Sequence, residues 1–181
     1  MDLLDFDDCQ LYFEEALPEA AEALLAAAAD DRERAETALL RAHLLAPEHL
    51  TVLVGLYRHY FSRRRHDDAL AVAERALALS GRQLGLPPDW RLLDESCVGH
   101  AAASAFGRLR FHLLALKAVG VVLLRLGEVD AARERLRKLA ELDSHDRLGA
   151  ARLLAVVDEF HLPLAPPVRP EIPHPAARRP A

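Results

Sequence analysis

The sequence predicts an all-α fold built from repeated helical hairpins, and three observations support this prediction. Alanine and leucine, which are strong helix formers, make up more than a third of the 181 residues. The β-branched and aromatic residues that favour strands are scarce, and Ile172 is the single isoleucine. Small residues also recur at a fixed spacing, which is typical of stacked helical pairs.

The recurring positions have a period of 34. Ala35, Leu39, Ala42 and Pro47 each lie 34 positions before Ala69, Ala73, Ala76 and Gly81. The tetratricopeptide repeat (TPR), a helix-turn-helix unit, has a period of about 34 residues. The best single copy resembles the TPR consensus: Gly120 falls at the close-contact glycine, Gly127 follows the first helix, and Ala132 falls at the small residue of the second. We therefore predict a TPR-like helical repeat, an α–α superhelix.

The predicted TPR-like domain covers residues 1–160. One or two helices are expected between Phe6 and Ala29, with Pro18 starting the second, and Asp30 and Asp31 starting the next. The repeats are then placed at about 30–46, 47–81 and 111–144. A capping helix at about 146–160 is expected to cover the last apolar face, and 161–181 form a Pro-rich tail that is predicted to be flexible and disordered.

An insert at about 82–110 separates the last two repeats. It is inferred because the spacing from Ala69 to Ala132 exceeds one period by 29 positions. We expect a turn at 85–88, an N-cap at Asp89 and a helix from about Trp90. Gly107 is predicted to kink this helix or to separate it from another that starts near 109.

Charge and hydropathy exclude several classes of function. The net charge of −5 argues against a nucleic-acid-binding protein, which would carry a basic excess. No apolar run approaches the roughly 20 residues of a membrane span, and the acidic start does not resemble a secretory signal. We therefore expect a cytoplasmic protein that binds neither nucleic acid nor membrane.

The sequence offers no recognisable chemistry. His43, His49, His59 and His66 lack the i, i+4 spacing that places two metal ligands on one helical face. Cys9 and Cys97 have no CxxC partner, and no phosphate loop or nucleophile elbow is present. The run 63–65 of three arginines is typical of a helix C-terminus, although an anion-binding patch is the alternative. We predict no catalytic residue, no metal site and no cofactor.

A partner-binding groove is the surface that we expect to act. In TPR-like folds the first helix of each repeat lines a concave groove. By register the residues predicted to bind a partner are Thr51, Val54, Arg58, Phe61 and Ser62 in one copy, and Lys117, Val121 and Arg125 in another. The alternative for Val54 and Val121 is simple packing beneath the insert. Because the chain has no asparagine, the TPR subtype that clamps a chaperone's terminal carboxylate is disfavoured.

Three strings carry a resemblance to a known family: LLAPEHLTVLV at 44–54, DWRLLDE at 89–95 and RFHLLALKA at 110–118. With them, the span from about 6 to 160 resembles small TPR-like proteins encoded among bacterial nitrogen-fixation genes, of the nitrogenase-associated factor T type. The resemblance implies a non-catalytic accessory factor that associates with the nitrogenase molybdenum–iron protein. The form bound would be cofactor-deficient or damaged, during assembly, protection or repair.

A second resemblance stays open. The string ALALSGRQLGLPPD at 76–89 is similar to the helix-to-turn segment of the bacterial transcriptional activator domain, which is also TPR-like. It implies a regulatory scaffold. In those regulators a winged-helix DNA reader precedes the domain, and here the residues before the repeats are acidic instead.

Overall fold

The computed structural model describes residues 16–31 and 33–160, and the regular secondary structure within them consists of helices. The seven α-helices are α1 Glu19–Asp30, α2 Ala35–Leu45, α3 Leu50–Ser62, α4 His66–Gln83, α5 Glu95–Leu126, α6 Val129–Leu142 and α7 Ala150–Phe160. A single-turn 3₁₀-helix, Trp90–Leu92, lies between α4 and α5. No strand occurs in these residues, and the all-α class is confirmed. The helices predicted before residue 16 and the Pro-rich tail lie outside the described residues.

The helices pack as consecutive pairs around one core. The helical pairs are α1 with α2, α3 with α4 and α5 with α6. Helix α4 packs on α5 as extensively as the helices within any of these pairs, α2 also contacts α3, and α7 packs on α6. The recurring alanines are all buried, namely Ala35, Ala42, Ala69, Ala73, Ala76 and Ala132. Gly120 is a close contact as well, since a Cβ atom there would lie 3.1 Å from the Leu136 side chain. The periodic small residues therefore mark where the helices approach each other.

The first helical pair begins and ends at polar turns. Pro18 precedes α1 in an extended conformation, as predicted for a helix start. Asp31 does not start the next helix, because its Oδ1 accepts hydrogen bonds from the N–H groups of Glu33 (2.9 Å) and Arg34 (3.1 Å). These bonds form a turn, and α2 begins only at Ala35.

The predicted start of the insert helix is wrong by several residues. Asp89 caps only the 3₁₀ turn, through a 3.0 Å bond from the Arg91 N–H. The α-helix begins after Asp94, whose Oδ1 accepts a 2.8 Å bond from the Cys97 N–H. That bond lowers the pKa of Asp94, because it favours the charged carboxylate. Asp94 is thus the true N-cap.

Helix α5 contains a kink close to the position where the sequence predicts either a kink or a break. It runs for 32 residues and includes part of the expected insert and the first helix of the last repeat. Its irregular residue is Ala105 (φ −155°, ψ 67°), two positions before the predicted break at Gly107. Gly127, with φ 83°, ends the helix as predicted. Despite this length, none of the helices in the described ranges is apolar over enough residues to cross a membrane.

The last helix starts later than predicted. Asp146 (φ 47°) and Gly149 (φ 72°) adopt left-handed conformations, so the segment from 146 forms a turn and α7 begins at Ala150. The Nε of Arg133 on α6 donates a 2.7 Å bond to Oδ1 of Asp158 and ties α7 to α6. The final helix therefore packs on α6.

Candidate functional site

A groove lies between α1 and α3 and contains several residues predicted to bind a partner. Its volume is about 640 Å³. The lining residues are Leu25, Ala28, Ala29, Ala35 and Leu39 from α1 and α2, and Thr51, Val54, Gly55, Arg58, His59, Ser62 and Arg63 from α3 and the residue after it. We call it the α1–α3 groove. The structure brings together four of the predicted residues here: Thr51, Val54, Arg58 and Ser62.

The sequence explains the shape of this groove. Alanine occurs at three lining positions of the first helical pair, so the wall is low on that side. Gly55 allows α3 to approach α2, since a Cβ atom there would lie 2.9 Å from Cδ2 of Leu39. Val54 is almost fully buried and forms the floor, whereas Arg58 is partly exposed. The groove therefore has an apolar floor with polar and basic groups above it.

The positive charge of the groove comes from its arginines. Arg58 and Arg63 are among the lining residues, and no lining residue within the described ranges is acidic. Burial lowers the pKa of His59, and the carboxylate of Glu36, 3.9 Å away, opposes that effect only in part. Because a lowered pKa favours the neutral ring at pH 7, His59 adds little charge.

The other predicted partner-binding residues lie elsewhere. Phe61 is partly buried and packs against aromatic neighbours on α3 and α4. Lys117 is buried on α5, and its Nζ donates a 2.5 Å hydrogen bond to the carbonyl oxygen of Leu148 in the α6–α7 loop. Val121 is partly exposed and Arg125 is exposed on α5, and neither lines the α1–α3 groove.

The remaining candidates from the sequence are the histidines as a metal site and the basic run as an anion-binding patch. Among the residues described, no group of three or more His, Cys, Asp or Glu side chains is arranged to hold a metal ion. In the arginine run, Arg65 forms ion pairs with Glu36 (2.6 Å) and Asp68 (2.7 Å). That arginine links α2 to the start of α4, so at least this part of the run is structural.

His112 is a buried polar residue that sequence reasoning missed. Its Nδ1 lies 2.9 Å from the Oγ of Ser80, which itself lies 3.1 Å from the carbonyl oxygen of Leu77. Gly81 makes room for the ring, because a Cβ atom there would lie 3.1 Å from the ring's Cε1. The available signal was one histidine inside the otherwise apolar stretch 111–116.

The environment of His112 keeps its ring neutral. Burial lowers the pKa of His112 to about 4, although a hydrogen bond to the Leu77 carbonyl partly opposes the shift. Its Nε2 is buried without a hydrogen-bond partner. The residue also lines a second cleft, of about 520 Å³, beside Trp90 and the loop after α4. An uncharged ring with one unsatisfied nitrogen fits a structural role in the α4–α5 contact.

Comparison with known proteins gives one strong match. No protein-family model matches the chain, and no solved structure matches it. A protein of Azotobacter chroococcum mcd 1, described as "Uncharacterized 19.8 kDa protein in nifW 5'region", is 47% identical over 160 residues. The match covers 88% of this chain and 90% of that relative. The chain belongs to the family of this nif-region protein.

The matched region spans the candidate site. A match of 160 residues leaves out at most 21 of the 181, so it includes positions 22–160 wherever it starts. That span contains every lining residue of the α1–α3 groove and also His112. The expectation of a nitrogen-fixation gene-cluster protein is therefore supported by a relative from a nif gene region.

Proposed function

We propose that the protein is a non-catalytic, TPR-like accessory factor that binds the nitrogenase molybdenum–iron protein in the cytoplasm. It recognises a cofactor-deficient or damaged form during assembly, protection or repair. The nif-region relative and the sequence resemblance support the choice of partner. The period of 34, with buried alanines at equivalent positions, supports the TPR-like architecture.

The observation that carries the proposal is the α1–α3 groove. It is long, since its lining on α3 runs from Thr51 to Ser62, about 16 Å at 1.5 Å per residue. An apolar floor with arginines above it suits a helix or an extended segment that carries apolar and acidic side chains. Such a groove offers the contact area and the charge complementarity that recognition of a protein segment requires.

Selectivity for one form of the partner has a thermodynamic requirement. A binder shifts its partner's conformation only by as much as its affinities for the two forms differ. The groove must therefore engage a segment that is accessible in the cofactor-deficient form and packed away in the mature one. This predicts tighter binding to the cofactor-deficient protein.

The test is co-purification from nitrogen-fixing cells that express the tagged full chain. We expect both molybdenum–iron protein subunits in the eluate, with greater recovery when cofactor synthesis is blocked. The variant Arg58→Glu should lower recovery about tenfold, equivalent to about 1.4 kcal/mol of binding free energy. Arg137→Glu, on an exposed face of α6, is the matched control and should bind like wild type.

Two outcomes would contradict the proposal. Absence of both subunits under cofactor-deficient conditions would exclude this partner. If Arg58→Glu and Arg137→Glu lowered the recovery of the molybdenum–iron protein equally, binding would depend on overall charge and not on the α1–α3 groove. Circular dichroism of both variants should match wild type, so that any loss is assigned to the interface.

A further inference from the structure

The α1–α3 groove has a lining whose charge and hydropathy select its occupant. Leu25, Leu39 and Val54 provide apolar surface, and Arg58 and Arg63 provide positive charge. The lining residues, all within the described ranges, include no carboxylate. An occupant that complements this surface carries large apolar side chains and several acidic groups.

The chain itself contains a segment of that composition. Residues 1–15, MDLLDFDDCQLYFEE, contain six acidic residues and no basic residue. Six large apolar side chains are interleaved with them: Leu3, Leu4, Phe6, Leu11, Tyr12 and Phe13. The opposite terminus does not fit, because residues 161–181 carry three arginines and a single acidic residue, Glu171. Charge complementarity therefore favours the first 15 residues over the last 21.

The segment is also attached within reach of the groove. It is joined to α1, and the residues Leu25 to Ala29 of that helix form one wall of the groove. Those residues lie about 9–15 Å along the helix from its start at Glu19, at 1.5 Å per residue. Fifteen residues span up to about 50 Å when extended and about 22 Å when helical. Either form can run back along α1 and cover the groove.

We propose that residues 1–15 occupy the α1–α3 groove of the free protein. The apolar side chains contact the floor, and Asp5, Asp7 and Asp8 pair with the arginines. If the groove binds the partner, as in the proposed function, the segment competes with it. A groove that is nine-tenths occupied would weaken the apparent affinity for a partner about tenfold.

Paramagnetic NMR of the full chain tests the occupancy directly. A spin label is attached to Cys9 in a Cys97→Ser background. We expect strong broadening of the amide signals of Thr51 to Ser62 on α3, which are distant from Cys9 in sequence. The triple variant Asp5→Asn, Asp7→Asn, Asp8→Asn should lose most of this broadening. The control Glu14→Gln, Glu15→Gln, closer to α1, should retain it.

Three results would overturn the inference. Broadening confined to the first residues of α1 would mean that the segment does not reach the groove. Broadening that appears between labelled and unlabelled copies, and vanishes on dilution, would mean that a second molecule supplies the occupant. Broadening that is unchanged in the triple aspartate variant would exclude the proposed charge pairing.

Partner binding is measured separately, so that the two proposals can fail independently. In the triple aspartate variant, the affinity for purified cofactor-deficient molybdenum–iron protein should rise. If the NMR shows release of the segment while the affinity stays at the wild-type value, the occupancy stands and the groove is not the partner site. If wild type and variant both fail to bind, the proposed partner is wrong and the occupancy again stands.

Discussion

Acidification should unfold this protein partly through His112. In the unfolded chain this histidine takes up a proton at about its ordinary pKa of 6.5, whereas the buried ring resists protonation until the pH reaches about 4. Between these values the unfolded state binds more protons, so the free energy of unfolding falls as the pH falls. The stabilisation from the neutral ring is fully present above 6.5 and is lost below about 4.

The size of the effect follows from the two pKa values. One pH unit corresponds to about 1.36 kcal/mol, so lowering the pKa from 6.5 to about 4 is worth about 3 kcal/mol in total. At about pH 5 the linkage relation gives a loss of roughly 2 kcal/mol relative to neutral pH. Because the ring is only 3% exposed, solvent screening reduces this value little.

The assay is urea denaturation followed by far-UV circular dichroism, at about pH 7.5 and about pH 5. His112→Asn is the comparison variant, since its amide can replace the Nδ1 contact with Ser80 and does not titrate. Between the two pH values, the free energy of unfolding should fall by roughly 2 kcal/mol more in wild type than in the variant. Every other side chain is the same in the two proteins, so the difference isolates His112.

A second measurement keeps the prediction testable if the variant is too unstable for denaturation. The ring Cε1–H NMR signal of His112 in wild type should stay at its neutral position through the range in which ordinary histidines titrate. An inflection near pH 6.5 would refute the assignment of a buried neutral ring. Equal pH dependence of stability in wild type and His112→Asn would refute it as well.

Two further predictions concern packing. Gly120→Ala should destabilise the protein by about 1–3 kcal/mol, because the new Cβ would lie 3.1 Å from the Leu136 side chain. Gly99→Ala is the control at an open site on α5, and it should stabilise the protein by about 0.5–1 kcal/mol because alanine favours a helix over glycine. Lys117→Met removes the buried bond to the Leu148 carbonyl and should cost about 1–3 kcal/mol in urea denaturation. The same variant should bind the partner like wild type, and weaker binding would return Lys117 to the interface.

The features that could be predicted from the sequence are those set by the spacing of residues within one or two neighbouring helices. The buried alanines at Ala35 and Ala69 lie one period apart, and their spacing identified the helical pairs because small residues are required where helices cross. Gly127 could be assigned as a helix end because a left-handed residue there favours glycine. The residues Thr51, Val54 and Arg58 could be grouped because they share one face of a single helix.

The features that the sequence did not predict depend on contacts between distant segments. Asp89 and Asp94 are both suitable N-caps, and only the fold decides that the α-helix follows the second. Lys117 was assigned to a groove by its register on the first helix of a repeat, but its buried ammonium group donates a hydrogen bond to the Leu148 carbonyl, 31 positions away. His112 likewise depends on Ser80, which belongs to another helical pair.

The buried polar contacts that stabilise the fold and the residues of the candidate interface lie in different parts of the chain. His112 and Lys117 make their side-chain hydrogen bonds inside the part of the chain from α4 to α7, where changing them alters stability. The α1–α3 groove lies in the other part, and its polar residues Thr51 and Arg58 are partly exposed at the groove. Substitutions at Thr51 and Arg58 should therefore change binding with little effect on unfolding, and substitutions at His112 or Lys117 should change stability with little effect on binding. A variant series in which Thr51 and Arg58 showed both effects would mean that these two residues also stabilise the core.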